Sequence, residues 1–227
     1  MKRVLVITPA KTGTATFLKT CESYYETEHS HDLNFLKDVL IVSKNNIIIT
    51  GIRDPIARNL SYFFQTYKDD FYNGFKIKEN NYEGEYCYVD NMPTDIRDII
   101  DVYFNKTNQY SYNSWLKEFI EITNIKSFDK EKGLQIYNLK NNNTLILYTL
   151  EKLNYNEKEI LNYLDIDSVV FGNINKNKTY QKVRSKIKYN VAHLNKLLFT
   201  KEMKFFYTDK DLEKLFNKYN SRKIKLR

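Results

Sequence analysis

The sequence predicts an α/β protein with a mostly parallel sheet, and three observations carry that prediction. Val4 to Thr8 is a continuous apolar and β-branched run that stops at Pro9 and a glycine-containing turn. Ile47-Ile48-Ile49-Thr50-Gly51-Ile52 is a second run of the same kind. Each is followed at once by a segment whose apolar residues recur at helical spacing. Strands that are apolar at consecutive positions suit a sheet covered on both faces, and the strand–turn–helix order is that of parallel units. The full expectation is a three-layer sandwich with a mostly parallel central sheet and a helix-rich C-terminal half.

Taken in order, the first strand is Val4 to Thr8 and a helix runs from Thr14 onward, with Phe17, Leu18 and Cys21 on its apolar face and Tyr24 and Tyr25 one turn further. The second strand, Ile47 to Ile52, ends at Arg53. Asp54 is then a good N-cap and Pro55 a good first helical residue, so Ile56 to Tyr67 reads as a helix with Leu60, Phe63, Phe64 and Tyr67 inward. Residues 69 to 93 break the periodicity at Gly74, Gly84 and Pro93, which predicts a long loop or lid. Helices are expected from Asp95 to Phe104 and from Tyr112 to Ile122. Leu134 to Tyr137 and Thr144 to Tyr148 flank an asparagine-rich turn at Asn141 to Asn143 and read as a hairpin or two adjacent strands. The remainder reads as helices at Asn156 to Leu164, Thr179 to Asn190 and Asp209 to Asn220, the last opened by Thr208-Asp209. No repeat or low-complexity linker divides the chain, so one domain over 1–227 is expected. With 42% hydrophobic residues it can bury its core without metal or disulfide support.

The two cysteines, Cys21 and Cys87, form no CxxC pair and no array with zinc-ligand spacing, so they read as reduced thiols. The N-terminal apolar run is broken by Pro9 and Lys11 and is too short for a secretory signal, and no run approaches membrane-spanning length. A cytoplasmic protein is expected. The net charge of +8 is uneven. Residues 172–227 hold 16 lysines and arginines against 4 acidic residues, a net +12, and residues 1–171 hold 20 against 24, a net −4. The basic end would attract a polyanion, or it is simply a solvated surface. No glycine-flanked aromatic run of the RNA-recognition kind accompanies the tyrosines, so nucleic acid is not the expected partner.

Two segments point to anion chemistry. Pro9-Ala10-Lys11-Thr12-Gly13-Thr14-Ala15-Thr16 lies between a strand and a helix. There, orphan backbone N–H groups and the helix dipole favour an anion, glycine permits close approach, and the hydroxyls and ammonium add donors. It is not a Walker A loop, which needs Gly-Lys-Ser/Thr, whereas Lys11 precedes Gly13 by two positions. The second segment, Arg53-Asp54-Pro55-Ile56-Ala57-Arg58-Asn59-Leu60-Ser61-Tyr62, follows a strand end, where open α/β sheets place their ligand crevice. Arg53 can fork onto a phosphate and Ser61 lies eight residues on. Arg58 reads as a surface residue or as a structural partner of Asp54.

Together these segments resemble the sulfotransferases that use 3′-phosphoadenosine 5′-phosphosulfate (PAPS). Lys11-Thr12-Gly13-Thr14 resembles their phosphosulfate loop and Arg53 to Ser61 their 3′-phosphate motif. The heparan sulfate 2-O-sulfotransferase type carries a His-x-His element between the two, and this chain has His29-Ser30-His31. Trp115 to Phe119, Phe128 to Gly133 and Phe206-Tyr207-Thr208 are similar to bacterial capsular polysaccharide synthesis proteins of sulfotransferase kind. Ala15 departs from the family's frequent hydroxyl, which Thr16 can supply.

The resemblance implies that Lys11, Thr12, Gly13, Thr14, Ala15 and Thr16 hold the phosphosulfate and that Arg53 and Ser61 hold the 3′-phosphate. Lys178 and Tyr180, after Asn173 to Asn177, would close over the nucleotide. It also implies that His31 is the base, with His29 in support; Glu22, Glu26 and Glu28 are the carboxylate alternatives. The expected reaction is sulfuryl transfer to a hydroxyl of a sugar or polysaccharide, with Lys11 stabilising the leaving phosphate and no metal needed. The competing readings are a nucleotide-dependent kinase and a non-enzymatic polyanion-binding protein using the basic C-terminal segment.

Overall fold

The computed structural model describes residues 3–66, 95–168 and 178–221. The chain is an α/β protein with a five-stranded, mostly parallel sheet and a helix-rich C-terminal half. The strands are β1 (Arg3–Ile7), β2 (Glu26–Ser30), β3 (Ile47–Ile52), β4 (Leu134–Asn138) and β5 (Thr144–Thr149), in the order β2-β1-β3-β5-β4. β2, β1, β3 and β5 are parallel, and β4 pairs antiparallel with β5 across the asparagine-rich turn.

Strand side chains alternate between two cores. Leu5, Ile7, Ile48, Ile52, Leu145 and Leu147 face one side, where they meet α2 (Leu33–Val42), α3 (Pro55–Thr66), α4 (Ile96–Lys106) and α5 (Ser111–Thr123). The same core takes in α7 (Lys178–Lys186), α8 (Val191–Leu198), α9 (Lys201–Phe206) and α10 (Asp209–Tyr219). Val4, Val6, Ile47, Ile49 and Ile146 face the other side, against α1 (Thr14–Cys21) and α6 (Leu153–Leu164). Each fully buried aliphatic side chain contributes about 1.5–3 kcal/mol, so consecutive apolar residues in β1 and β3 specify burial on both faces.

The connections leaving β1 and β3 go to opposite faces: α1 packs in one core and α3 in the other. A crevice therefore opens between the C-terminal ends of these neighbouring strands, at the position where sheets of this type bind ligands.

Five elements, β2, α2, α7, α8 and α9, differ from the sequence expectation. β2 was not predicted because Glu-Thr-Glu-His-Ser carries no hydrophobic signal; as an edge strand it is fixed by its register with β1 and by Arg3, which pairs with Glu28 and, at 3.5 Å, with Glu26. α2 carries a readable signal: Asp32 accepts the Asn34 N–H at 2.8 Å, and Leu33, Leu36 and Val39 are buried. The expected helix from Thr179 to Asn190 is α7 and is shorter, and α8 and α9 lie beyond it in a stretch for which no helix was specified. α7 ends at Lys186, because Tyr189 turns inward to exchange backbone hydrogen bonds with Tyr219 and Ser221, and Asn190 then caps α8. α3 runs over Pro55–Thr66, and its expected last residue, Tyr67, lies outside the described residues, as does the expected lid at 69–93. Among the described residues no helix is long and apolar enough to cross a membrane.

Candidate functional site

The anion-loop candidate forms the turn between β1 and α1. Lys11 adopts φ 73°, the left-handed region that a non-glycine residue rarely occupies. Gly13, the N-cap of α1, has φ 99°. The Gly13 carbonyl accepts the Thr16 and Phe17 N–H groups, and among the described residues no acceptor takes the N–H groups of Thr14 and Ala15 at the helix start. The Thr12 side chain is fully buried and its hydroxyl donates to the Pro9 carbonyl at 2.8 Å, so it braces the loop from inside. Thr14 shares a hydrogen bond with Thr8, Ala15 is exposed and Thr16 is half-buried.

The loop is seated from below by Tyr148 of β5, whose hydroxyl donates to the Thr12 carbonyl at 2.7 Å. Two glycines leave room for that contact. A Cβ on Gly13 would stand 2.6 Å from Tyr148 Oη, and one on Gly51 would press on the Thr12 carbonyl oxygen and stand 2.5 Å from Tyr148 Oη. Gly51→Ala is therefore expected to push the loop off the sheet, costing about 1–3 kcal/mol of stability as overpacking does. Denaturant unfolding, with nucleotide binding measured alongside, checks this.

Arg53 follows β3, and its Nη1 donates to the Lys11 carbonyl at 3.0 Å, so the two sequence motifs meet across the β1/β3 crevice. The Lys11 ammonium pKa is lowered, first by burial and then by the Arg53 charge. Asp54 is the N-cap of α3 as expected, its Oδ1 accepting the Ile56 and Ala57 N–H groups at 2.9 and 3.2 Å. Its Oδ2 accepts the Tyr219 hydroxyl at 2.8 Å and lies 3.6 Å from Lys218 Nζ.

Arg58 is not a surface residue. It is 5% exposed, donates from Nε to the Ala10 carbonyl at 3.2 Å, and lies over the rings of Tyr62 and Tyr112. Ser61 is also buried and lies three residues beyond Arg58 on α3.

His31 follows β2 directly and is exposed. Its Nδ1 is 2.7 Å from the Thr8 carbonyl, and since a carbonyl only accepts, Nδ1 carries the proton. Nε2 of the neutral ring is then the basic nitrogen. The His31 carbonyl accepts the Trp115 indole N–H at 3.2 Å, which fixes the turn from α5. His29 lies beside it, the two rings edge to face at 5.9 Å. The carboxylate alternatives sit elsewhere: Glu26 and Glu28 pair with Arg3 at the start of β1, and Glu22 is an exposed residue at the far end of α1.

Lys178 is the first residue of α7. Tyr180 is a core residue, 3% exposed and edge-on to Phe64 of α3, so it supports the helix that carries Ser61 instead of joining the loop and Arg53.

Sequence reasoning missed the residues that hold the site from behind. Tyr112 Oη accepts the Arg53 N–H at 2.9 Å. Glu151, just after β5, accepts the Asp54 N–H on Oε1 and the Tyr207 hydroxyl on Oε2, both at 2.8 Å. Glu151 as a residue is exposed, yet both carboxylate oxygens are engaged; crowding by the protein and the nearby Asp54 charge push its pKa up. Tyr207 entered the sequence reading only through the resemblance of Phe206-Tyr207-Thr208, and neither its contact nor that of Tyr219 could be read there, because their partners are 56 and 165 residues away. Among the described residues no group of three or more His, Cys, Asp or Glu side chains could hold a metal ion. No protein-family model, curated protein or solved structure matches this chain.

Proposed function

We propose that this protein is a cytoplasmic sulfotransferase that moves a sulfuryl group from PAPS to a hydroxyl of a carbohydrate. In this reading the fold is a three-layer sandwich whose β1–α1 turn is a P-loop-like phosphosulfate loop. One observation carries it: Arg53 Nη1 meets the Lys11 carbonyl at 3.0 Å, which joins the two candidate anion motifs at the crevice, with the Arg53 charge near enough to lower the Lys11 pKa. Two neighbouring cations on donor-rich backbone favour a multiply charged anion. Arg58 adds positive charge at the loop, donating to the Ala10 carbonyl at 3.2 Å, and Lys218 lies 3.6 Å from the adjacent Asp54 carboxylate.

The chemistry follows from the atoms. His31 Nε2 accepts the proton of the acceptor hydroxyl, the hydroxyl oxygen bonds to sulfur, and the sulfur–oxygen bond to the 5′-phosphate breaks. Negative charge grows on that bridging oxygen, where Lys11 and the α1 N-terminus stabilise it, and 3′-phosphoadenosine 5′-phosphate leaves. Arg53 and Ser61 hold the 3′-phosphate. Incubation with sulfur-labelled PAPS and a panel of carbohydrates tests the reading. Labelled sugar and 3′-phosphoadenosine 5′-phosphate should appear in equal amounts, and transfer to none of the hydroxyl acceptors with PAPS left intact would count against it.

A further inference from the structure

We propose that Glu151 is a positioning residue for the 3′-phosphate subsite, holding the Arg53–Asp54 corner so that the Arg53 guanidinium stays directed at the Lys11 loop; this rests on the sulfotransferase reading above. The N–H groups of Arg53 and Asp54 are consecutive amides at the end of β3. Each is taken by a side chain from a different element: the first by Tyr112 of α5 at 2.9 Å, the second by Glu151 at 2.8 Å. Glu151 is itself fixed by the hydroxyl of Tyr207, a residue 4% exposed, at 2.8 Å. On the other side of the corner, Tyr219 of α10 closes on the Asp54 carboxylate. The corner is thus held from three sides by elements that come together only in the folded chain.

The kind of acceptor matters. A turn amide needs only an oxygen, and a glutamine would supply one without a charge. Here the acceptor is a carboxylate placed beside the Asp54 carboxylate and crowded by protein, a combination that raises its pKa. An ionised acceptor also makes the stronger and shorter hydrogen bond. That extra grip falls on the peptide that carries Arg53, and placing a first-contact side chain within a fraction of an ångström is what such supporting bonds do.

The test is the ratio of affinities for 3′-phosphoadenosine 5′-phosphate and adenosine 5′-phosphate, which a general loss of stability would not change. Glu151→Leu should cut that ratio by about tenfold or more while the affinity for adenosine 5′-phosphate holds. Glu151→Gln, which keeps an acceptor for the Asp54 N–H, should stay closer to wild type. Tyr207→Phe, which removes only the hydroxyl that fixes Glu151, should lower the ratio by less than Glu151→Leu. If Glu151→Leu does not fold, Tyr207→Phe decides. An unchanged ratio in the folded variants beside a discriminating wild type overturns the positioning role and leaves the functional reading standing. A wild type that does not discriminate overturns both.

Discussion

His31→Ala is expected to lower single-turnover sulfuryl transfer by about 10²–10⁴-fold, the usual worth of a general base, with nucleotide affinity almost unchanged. The separation follows from where the ring is tied. Nδ1 donates to the Thr8 carbonyl at 2.7 Å and the Trp115 indole holds the His31 carbonyl, so Nε2 is the ring nitrogen that can accept a proton. Loss of the ring removes the proton acceptor without removing any group assigned to the nucleotide. His29→Ala is the internal control. A larger loss there than at His31 would reverse the two roles, and full activity in both variants would remove imidazole from the mechanism. Glu26 and Glu28 are poor replacements, because Arg3 holds them at the opposite end of β1.

Arg53→Ala is expected to weaken binding of 3′-phosphoadenosine 5′-phosphate by about 1.5–3 kcal/mol, the range for a hydrogen bond to a charged group. The guanidinium has a second task, since Nη1 also grips the Lys11 carbonyl, and the variant should slow transfer as well as weaken binding. Arg53→Lys separates the two. A lysine keeps the charge but cannot reproduce the planar fork, so affinity should recover in part and transfer should lag behind it. Equal affinity of the wild type for ligands with and without the 3′-phosphate would remove the assignment of Arg53 and Ser61.

The parts of this site that were legible in the sequence are those encoded locally. Val4 to Thr8 and Ile47 to Ile52 announce themselves by consecutive apolar residues, and the loop and the Arg53 segment each follow one of them directly. Asp54 and Pro55 mark the start of α3 by residue type alone, and Asp54 caps it as expected. β2 was illegible because an edge strand carrying Glu26, Glu28 and His29 has no face to bury. The break between α7 and α8 was illegible because it depends on Tyr189 pairing with the chain at Tyr219 and Ser221. The supporting shell was hidden for the same reason. Tyr148 reaches Thr12 across 136 residues and Glu151 reaches Asp54 across 97, and nothing in the spacing of a tyrosine or a glutamate predicts such a contact. Arg58 was misjudged because an arginine is normally solvated, whereas here two aromatic rings and the Ala10 carbonyl make burial tolerable.

The most direct test of the central claim is calorimetric titration of the protein with 3′-phosphoadenosine 5′-phosphate, beside ATP and adenosine 5′-phosphosulfate. A site built on Lys11, Arg53 and Ser61 for a 5′-phosphate and a 3′-phosphate should bind 3′-phosphoadenosine 5′-phosphate most tightly, with no requirement for magnesium. Adenosine 5′-phosphosulfate, which has no 3′-phosphate, should bind more weakly. Magnesium-dependent binding of ATP that exceeds that of 3′-phosphoadenosine 5′-phosphate would contradict the account and favour a kinase.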